Sequence, residues 1–196
     1  MSSPVLLTMA SKQNSGPGGS AAAPARTPVA SAHDTLASGR TASEFCATLA
    51  RLFAVRLSEV AVMRLDHGLL KFVLPEELKT AGAIPVSSSS AIAARTASTK
   101  KAEVFNNFAK IKHARVFETV KLISPEDAEK QEQSQIQKLM SAPILDPQNK
   151  VMGVIQVCRK GFDVNSAGPD FTAEDLQQLC MAAGIAADMK ALREES

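Results

Sequence analysis

The residues best suited to chemistry lie in one stretch in the middle of the chain. Ser87–Ser90 precede an Ala-rich segment, and free N–H groups at a helix start flanked by hydroxyls make a ready site for an anion. From Arg95 to Arg115 follow six basic residues, Arg95, Lys100, Lys101, Lys110, Lys112 and Arg115, against Glu103 alone. That local net charge of +5 draws anionic ligands or acidic surfaces. Asn106, Asn107 and His113 offer specific hydrogen bonds, and Phe108 and Phe117 an apolar wall. Ligand contacts are therefore expected at Ser88, Ser89, Ser90, Ala91, Asn106, Asn107, Phe108, His113 and Phe117, around a small polar or anionic molecule. The plainer explanations are that serine caps helices, that charge runs are solvated faces, and that a lone histidine bonds a neighbouring carbonyl.

Other chemistry finds little support. Cys46, Cys158 and Cys180 are far apart and show no metal or redox spacing, so they read as reduced thiols filling core volume. His33, His67 and His113 sit in separate segments and cannot form one metal site. Nothing brings a Ser/His/Asp or Cys/His set together, and the glycine-rich phosphate motifs are missing. Tyr and Trp are absent, so ring stacking would fall to eight Phe. No catalytic residue, metal or cofactor is expected.

Composition bounds the rest. The chain has 196 residues, 45% hydrophobic and 21% charged, with no apolar run long enough for a membrane span. Residues 1–40 contain eight Ala, seven Ser, four Gly and four Pro, too little apolar surface to offset ordering entropy, so a flexible arm is expected. That arm holds Lys12, Arg26 and Arg40 against Asp34. Removing these from totals of 22 basic and 20 acidic residues leaves 19 of each over 41–196, a neutral body ill-suited to general nucleic-acid binding. No basic residue precedes the short apolar run Val5–Leu7, so no signal peptide is expected and the location is taken as cytoplasmic.

The elements that must position these residues begin at Thr41. Thr41 and Glu44 have capping-box spacing, and Phe45, Leu49, Leu52 and Phe53 make a helical stripe over 42–55. Glu59–Leu65 and Leu69–Leu74 read as a hairpin around Asp66-His67-Gly68, with a third strand at Ala83–Val86. A helix is expected over 90–98, extended chain at Ala102–Asn106, a short helix at His113–Leu122 and a polar acidic loop over 124–134. Ile136–Leu145 and Val151–Lys160 flank a Pro/Asn/Asp turn. On the second of these strands Val151, Ile155 and Val157 are expected on one face and Met152, Val154 and Cys158 on the other, so it lies mid-sheet. Thr172 and Asp175 cap a closing helix over 172–192, with Phe171 and Leu176 at staple spacing. It carries two apolar stripes: Leu176, Leu179, Cys180, Ala183 and Ala187, then Met181, Ile185, Met189 and Leu192. The second stripe predicts a partner surface.

The order helix, hairpin, small-helix lobe, hairpin, helix resembles a GAF domain over residues 41–192. SAPILDPQNKVMGVIQVCRKG is similar to that family's penultimate hairpin, and DFTAEDLQQLCMAAGIAADM to its closing helix. IPVSSSSAIAARTASTKKAEVFNN resembles the stretch where a strand enters the ligand-side helix. The resemblance implies an α+β fold: a central antiparallel sheet of five or six strands, helices 42–55 and 172–192 on one face, a small-helix lobe on the other. It also implies a sensory or regulatory role, in a family whose members bind cyclic nucleotides, bilins, haem, amino or keto acids, or nothing. Departures narrow it: no Cys in the lobe for a bilin, a lone His113 there for haem, no Asp-Glu pair after Asn106-Asn107-Phe108 for a cyclic nucleotide, and cysteines on the first helix, hairpin and closing helix where a free methionine sulfoxide reductase uses pocket cysteines with Trp and Tyr.

The expectation is thus a non-catalytic module, 41–196, holding a small molecule between sheet and lobe and acting through a homodimer of its first and last helices at Met181, Ile185, Met189 and Leu192. No kinase, cyclase or DNA-binding segment is recognised, so output is expected to pass through other signalling proteins. The alternative is an interaction scaffold with a self-filled pocket.

Overall fold

The first helix, α1 (Ala42–Leu52), starts at the expected capping box: the Glu44 N–H donates to the Thr41 hydroxyl (3.2 Å), and the Thr41 N–H donates to the Glu44 carboxylate (3.0 Å). The structure, a computed structural model, describes residues 41–80, 82–88, 90–108 and 135–193. The first 40 residues, the segment expected helical at 113–122 and the acidic stretch 124–134 lie outside them. Helix α1 ends earlier than its periodicity suggests, because Ala54 takes a left-handed φ of 49° and turns the chain toward the sheet.

The sheet has six strands in the order β3-β2-β1-β6-β5-β4, every neighbouring pair antiparallel. They are β1 (Val60–Asp66), β2 (Leu69–Leu74), β3 (Ala83–Pro85), β4 (Glu103–Phe105), β5 (Gln135–Leu145) and β6 (Val151–Gly161). His67 and Gly68, with φ of 46° and 79°, form the two-residue turn between β1 and β2. Glu59, expected in a strand, instead closes a 3-10 turn (Leu57–Glu59). As expected, β6 is central, between β1 and β5.

Helices cover both faces. On one, α1, α3 (Ala173–Ala186) and α4 (Lys190–Arg193) enclose Phe45, Leu49, Phe53, Val60, Val62, Met140, Ile144, Ile155, Val157 and Leu179. Each such buried side chain contributes about 1.5–3 kcal/mol. On the other face, α2 (Ile92–Thr99) sets Ala93, Ala94 and Ala97 against Ala61, Met63 and Val154. A smaller cluster of Ile92, Phe108, Ile136, Leu139 and Cys158 continues that layer.

Three sequence readings need correction. Leu145 pairs with Val151 and Ile144 with Gly153, so Met152 is an extra residue in a β-bulge. The bulge exchanges the two faces at the strand start: Met152 packs with Ile155 and Val157, and Val151 with Val154. Gly153 suits this crossing, since a Cβ there would meet the Met63 carbonyl oxygen at 2.1 Å. On α3, Cys180 points to solvent, and the buried positions are Gln178, Leu179, Ala182, Ala183 and Ala186. Finally, the closing helix stops at Ala186. The Ala187 carbonyl accepts from Arg193 Nε (3.0 Å), and Arg193 also pairs with Asp188. This fold-back puts Leu192 into the core beneath the helix rather than on its outer face.

Candidate functional site

The face of the sheet under α2 carries a row of polar side chains across three adjacent strands. Register places Gln156 of β6 beside Ser141 of β5, and Ser141 beside Glu103 of β4. Cross-strand partners point to the same face. Gln156, Ser141 and Thr96 are all buried, at 2% exposure or less. The Thr96 hydroxyl of α2 lies 2.7 Å from the Ser141 hydroxyl, and Gln156 Nε2 donates to Ser141 Oγ at 3.2 Å. Arg95, one residue earlier on α2, donates from Nη2 to Glu103 Oε1 at 2.6 Å.

Two oxygens of this row lack a partner: Gln156 Oε1 and Glu103 Oε2 are buried atoms with no hydrogen bond among the described residues. Buried polar groups are nearly always satisfied, because an unmade bond costs about 1–3 kcal/mol. The surroundings are small and apolar, with Ala93, Ala94 and Ala97 above and Ala61 beside Gln156. Gln156, Ser141 and Thr96 were not singled out from the sequence, and Arg95 and Glu103 entered it only as charges of the basic stretch. The signal was available in a lone Gln within VMGVIQVC and a lone Ser within KLMSAPIL, both strands apolar on their two faces.

The expected ligand residues divide. Ala91 is the N-cap of α2 and buried, but gives no side-chain cap; Ser88 and Ser90 bond each other instead (3.1 Å). The serine run therefore does not serve as the helix cap. Phe108 is buried with Ile92 and Cys158 on the α2 side, and Asn107 is exposed. Asn106 turns away from this face: its amide both donates to the Phe171 carbonyl and accepts from the Phe171 N–H, 2.9 Å each. Ser89, His113 and Phe117 lie outside the described residues.

The expected dimer stripe is also divided. Met181 is exposed, Ile185 and Met189 are half-buried against the helix-side core, and Leu192 is within it. Gly184 is exposed, with open space where a Cβ would point.

The thiols are dispersed. Cys46 is buried on the α1 side and Cys158 on the α2 side, and burial pushes each thiol up to about 12. Cys180 is exposed on α3, its pKa also raised by partial burial. Among the described residues no three His, Cys, Asp or Glu gather as a metal-ligand set, and no helix is long and apolar enough to cross a membrane.

The family model described as GAF domain matches residues 39–188. Among solved structures, the GAF domain of a phosphoenolpyruvate-protein phosphotransferase from Acinetobacter superposes with a TM-score of 0.58 at 12% identity, covering 84% of this chain and 89% of that one. The GAF domain of nlh2 from A. aeolicus in an inactive state gives 0.52 at 14%, covering 85% and 94%. The reduced form of fRMsr from Staphylococcus aureus gives 0.51 at 14%, covering 85% and 96%. At such identities the likeness establishes the fold. A search of curated proteins finds no match.

Proposed function

The chain belongs to the GAF domain family, and on that premise we propose that it is a sensory or regulatory module that binds a small polar molecule over the Gln156–Ser141–Glu103 row. The observation that carries this reading is Gln156, an amide 2% exposed at mid-sheet with its oxygen unpartnered among the described residues. A sheet that only needed packing would hold an apolar residue there, like Val154 and Cys158 on the same face. A bound molecule that completes the missing bond offsets the desolvation cost and stabilises the folded state by mass action.

The module is non-catalytic in this reading. A thiol enzyme needs an ionisable cysteine with a partner in reach, whereas Cys158 has a pKa near 12 and Cys46 lies on the opposite face of the sheet. Output passes through the outer helices. Met181 and the unfilled space at Gly184 let the α3 of a second copy approach closely, so the working unit is a homodimer.

Thermal-shift screening against nucleotides, amino acids, amines and organic acids, with light scattering, tests the proposal. A ligand-dependent rise of several degrees in a dimeric species is expected. A dimer that responds to no compound overturns ligand binding in favour of a bare scaffold, and a monomer overturns the homodimer.

A further inference from the structure

We infer that the molecule held at this site is rich in N–H donors and carries no net negative charge: a small amine, guanidine or carboxamide. The inference rests on the reading of the site just given and reverses the anionic class that the basic stretch suggested.

The sign comes from the two unpartnered oxygens. Glu103 Oε1 is taken by Arg95, and Oε2 is buried without a hydrogen bond among the described residues. A carboxylate in an ion pair only accepts. Its neighbour two strands away, Gln156 Oε1, is also an acceptor without a donor. Turning the Gln156 amide would exchange its two ends, but Glu103 accepts in either arrangement, so the carboxylate fixes what the row requires. Two inter-strand steps separate the residues by about 10 Å at the backbone, with Ser141 and Thr96 between them.

Charge points the same way. The cation at this row, Arg95, is committed to Glu103, so the pair is neutral as a unit. An anion brought against the buried Oε2 of Glu103 would meet like charge, and an acceptor facing an acceptor. The serine run lies off the helix cap, Ser88 bonded to Ser90. Lys100, also part of the basic stretch, is spent on the Asn149 carbonyl at 2.8 Å.

The test is calorimetric titration and thermal shift on the full chain with two sets of probes: agmatine, putrescine and nicotinamide against phosphate and citrate. Wild type is compared with Gln156→Leu and Glu103→Gln. At least one donor probe is expected to bind and raise the melting temperature by several degrees, with affinity falling tenfold or more in each variant, and the anions are expected to leave wild type unmoved. Gln156→Leu is expected to melt within a few degrees of wild type, because losing the Nε2 bond to Ser141, which keeps Thr96 as a partner, is offset by deleting an unpaired buried oxygen, so loss of binding there is not loss of fold. Binding of phosphate or citrate alone overturns the ligand class while leaving the site standing. Donor binding that survives both substitutions is adventitious and overturns the inference too. Silence from every probe overturns the site itself.

Discussion

Asn106 and Phe171 are tied by two hydrogen bonds of opposite sense, the Asn106 side chain standing in for a strand edge against the Phe171 backbone, each bond 2.9 Å long. The Phe171 ring in turn lies 4.7 Å from the Arg159 guanidinium, which donates to the Phe53 and Ala54 carbonyls at the end of α1. One chain of contacts thus joins the segment leaving β4, the start of α3 and the end of α1. Asn106 replaced by Ala should cost about 1–3 kcal/mol. Asp should cost more at pH 7, since its second oxygen would face the Phe171 carbonyl. That penalty builds as pH rises through the ordinary carboxylate range and vanishes on acidification, when a protonated carboxyl can donate. Urea unfolding of both variants at pH 7 and pH 4 checks this; an Asp variant as stable as wild type at pH 7 contradicts it.

Glu59 anchors the other end of the sheet. Its carboxylate accepts from Arg56 Nη2 (2.8 Å), the Arg56 N–H (2.8 Å) and the Lys160 N–H (2.7 Å). Burial pushes its pKa up, but the Arg56 and Lys160 hydrogen bonds and the guanidinium charge outweigh it and hold the carboxyl below its usual range. A depressed pKa stabilises above the unfolded value of about 4.3 and is lost as pH falls through the folded one. Glu59→Gln should lose about 1.5–3 kcal/mol at pH 7 and unfold less steeply in acid. Superimposable acid-unfolding curves would count against this.

Thiol accessibility follows from burial. Iodoacetamide at pH 8 should label the native protein once, at Cys180, leaving Cys46 and Cys158 unmodified until denaturant is added. Donor-probe binding should survive the labelling. Peptide mapping that finds Cys158 labelled in the native state would revive a thiol role for the face under α2.

The proposed dimer surface is the outer side of α3, where Met181 is exposed. Met181→Lys should convert dimer to monomer in light scattering with little change in melting temperature, because Met181 is exposed in the single chain. A monomeric wild type, or a dimer indifferent to this change, places the interface elsewhere.

Local signals in the sequence carried the fold. Two capping boxes, the hairpin glycine at Gly68 and the two-sided apolar run of β6 placed helices and strands within a few residues. Faces were read less well, because a bulge at Met152 shifts the two-residue period and no local pattern announces it. The end of α3 was misread because Leu192 continues a helical stripe in sequence but reaches the core through a fold-back held by Arg193. The proposed site is the least legible part. Serines, asparagines and histidine attract notice as chemistry, yet Asn106 is spent on Phe171, while the row under α2 comes from four residues in four elements. Only strand register brings Glu103, Ser141 and Gln156 side by side.

Native mass spectrometry of the full chain as purified decides whether the Gln156–Ser141–Glu103 row holds a ligand. Occupancy of the row predicts a retained small mass on the wild-type protein that is absent from Gln156→Leu. A bare chain mass for wild type, unchanged after incubation with the donor probes, would contradict a ligand-binding role.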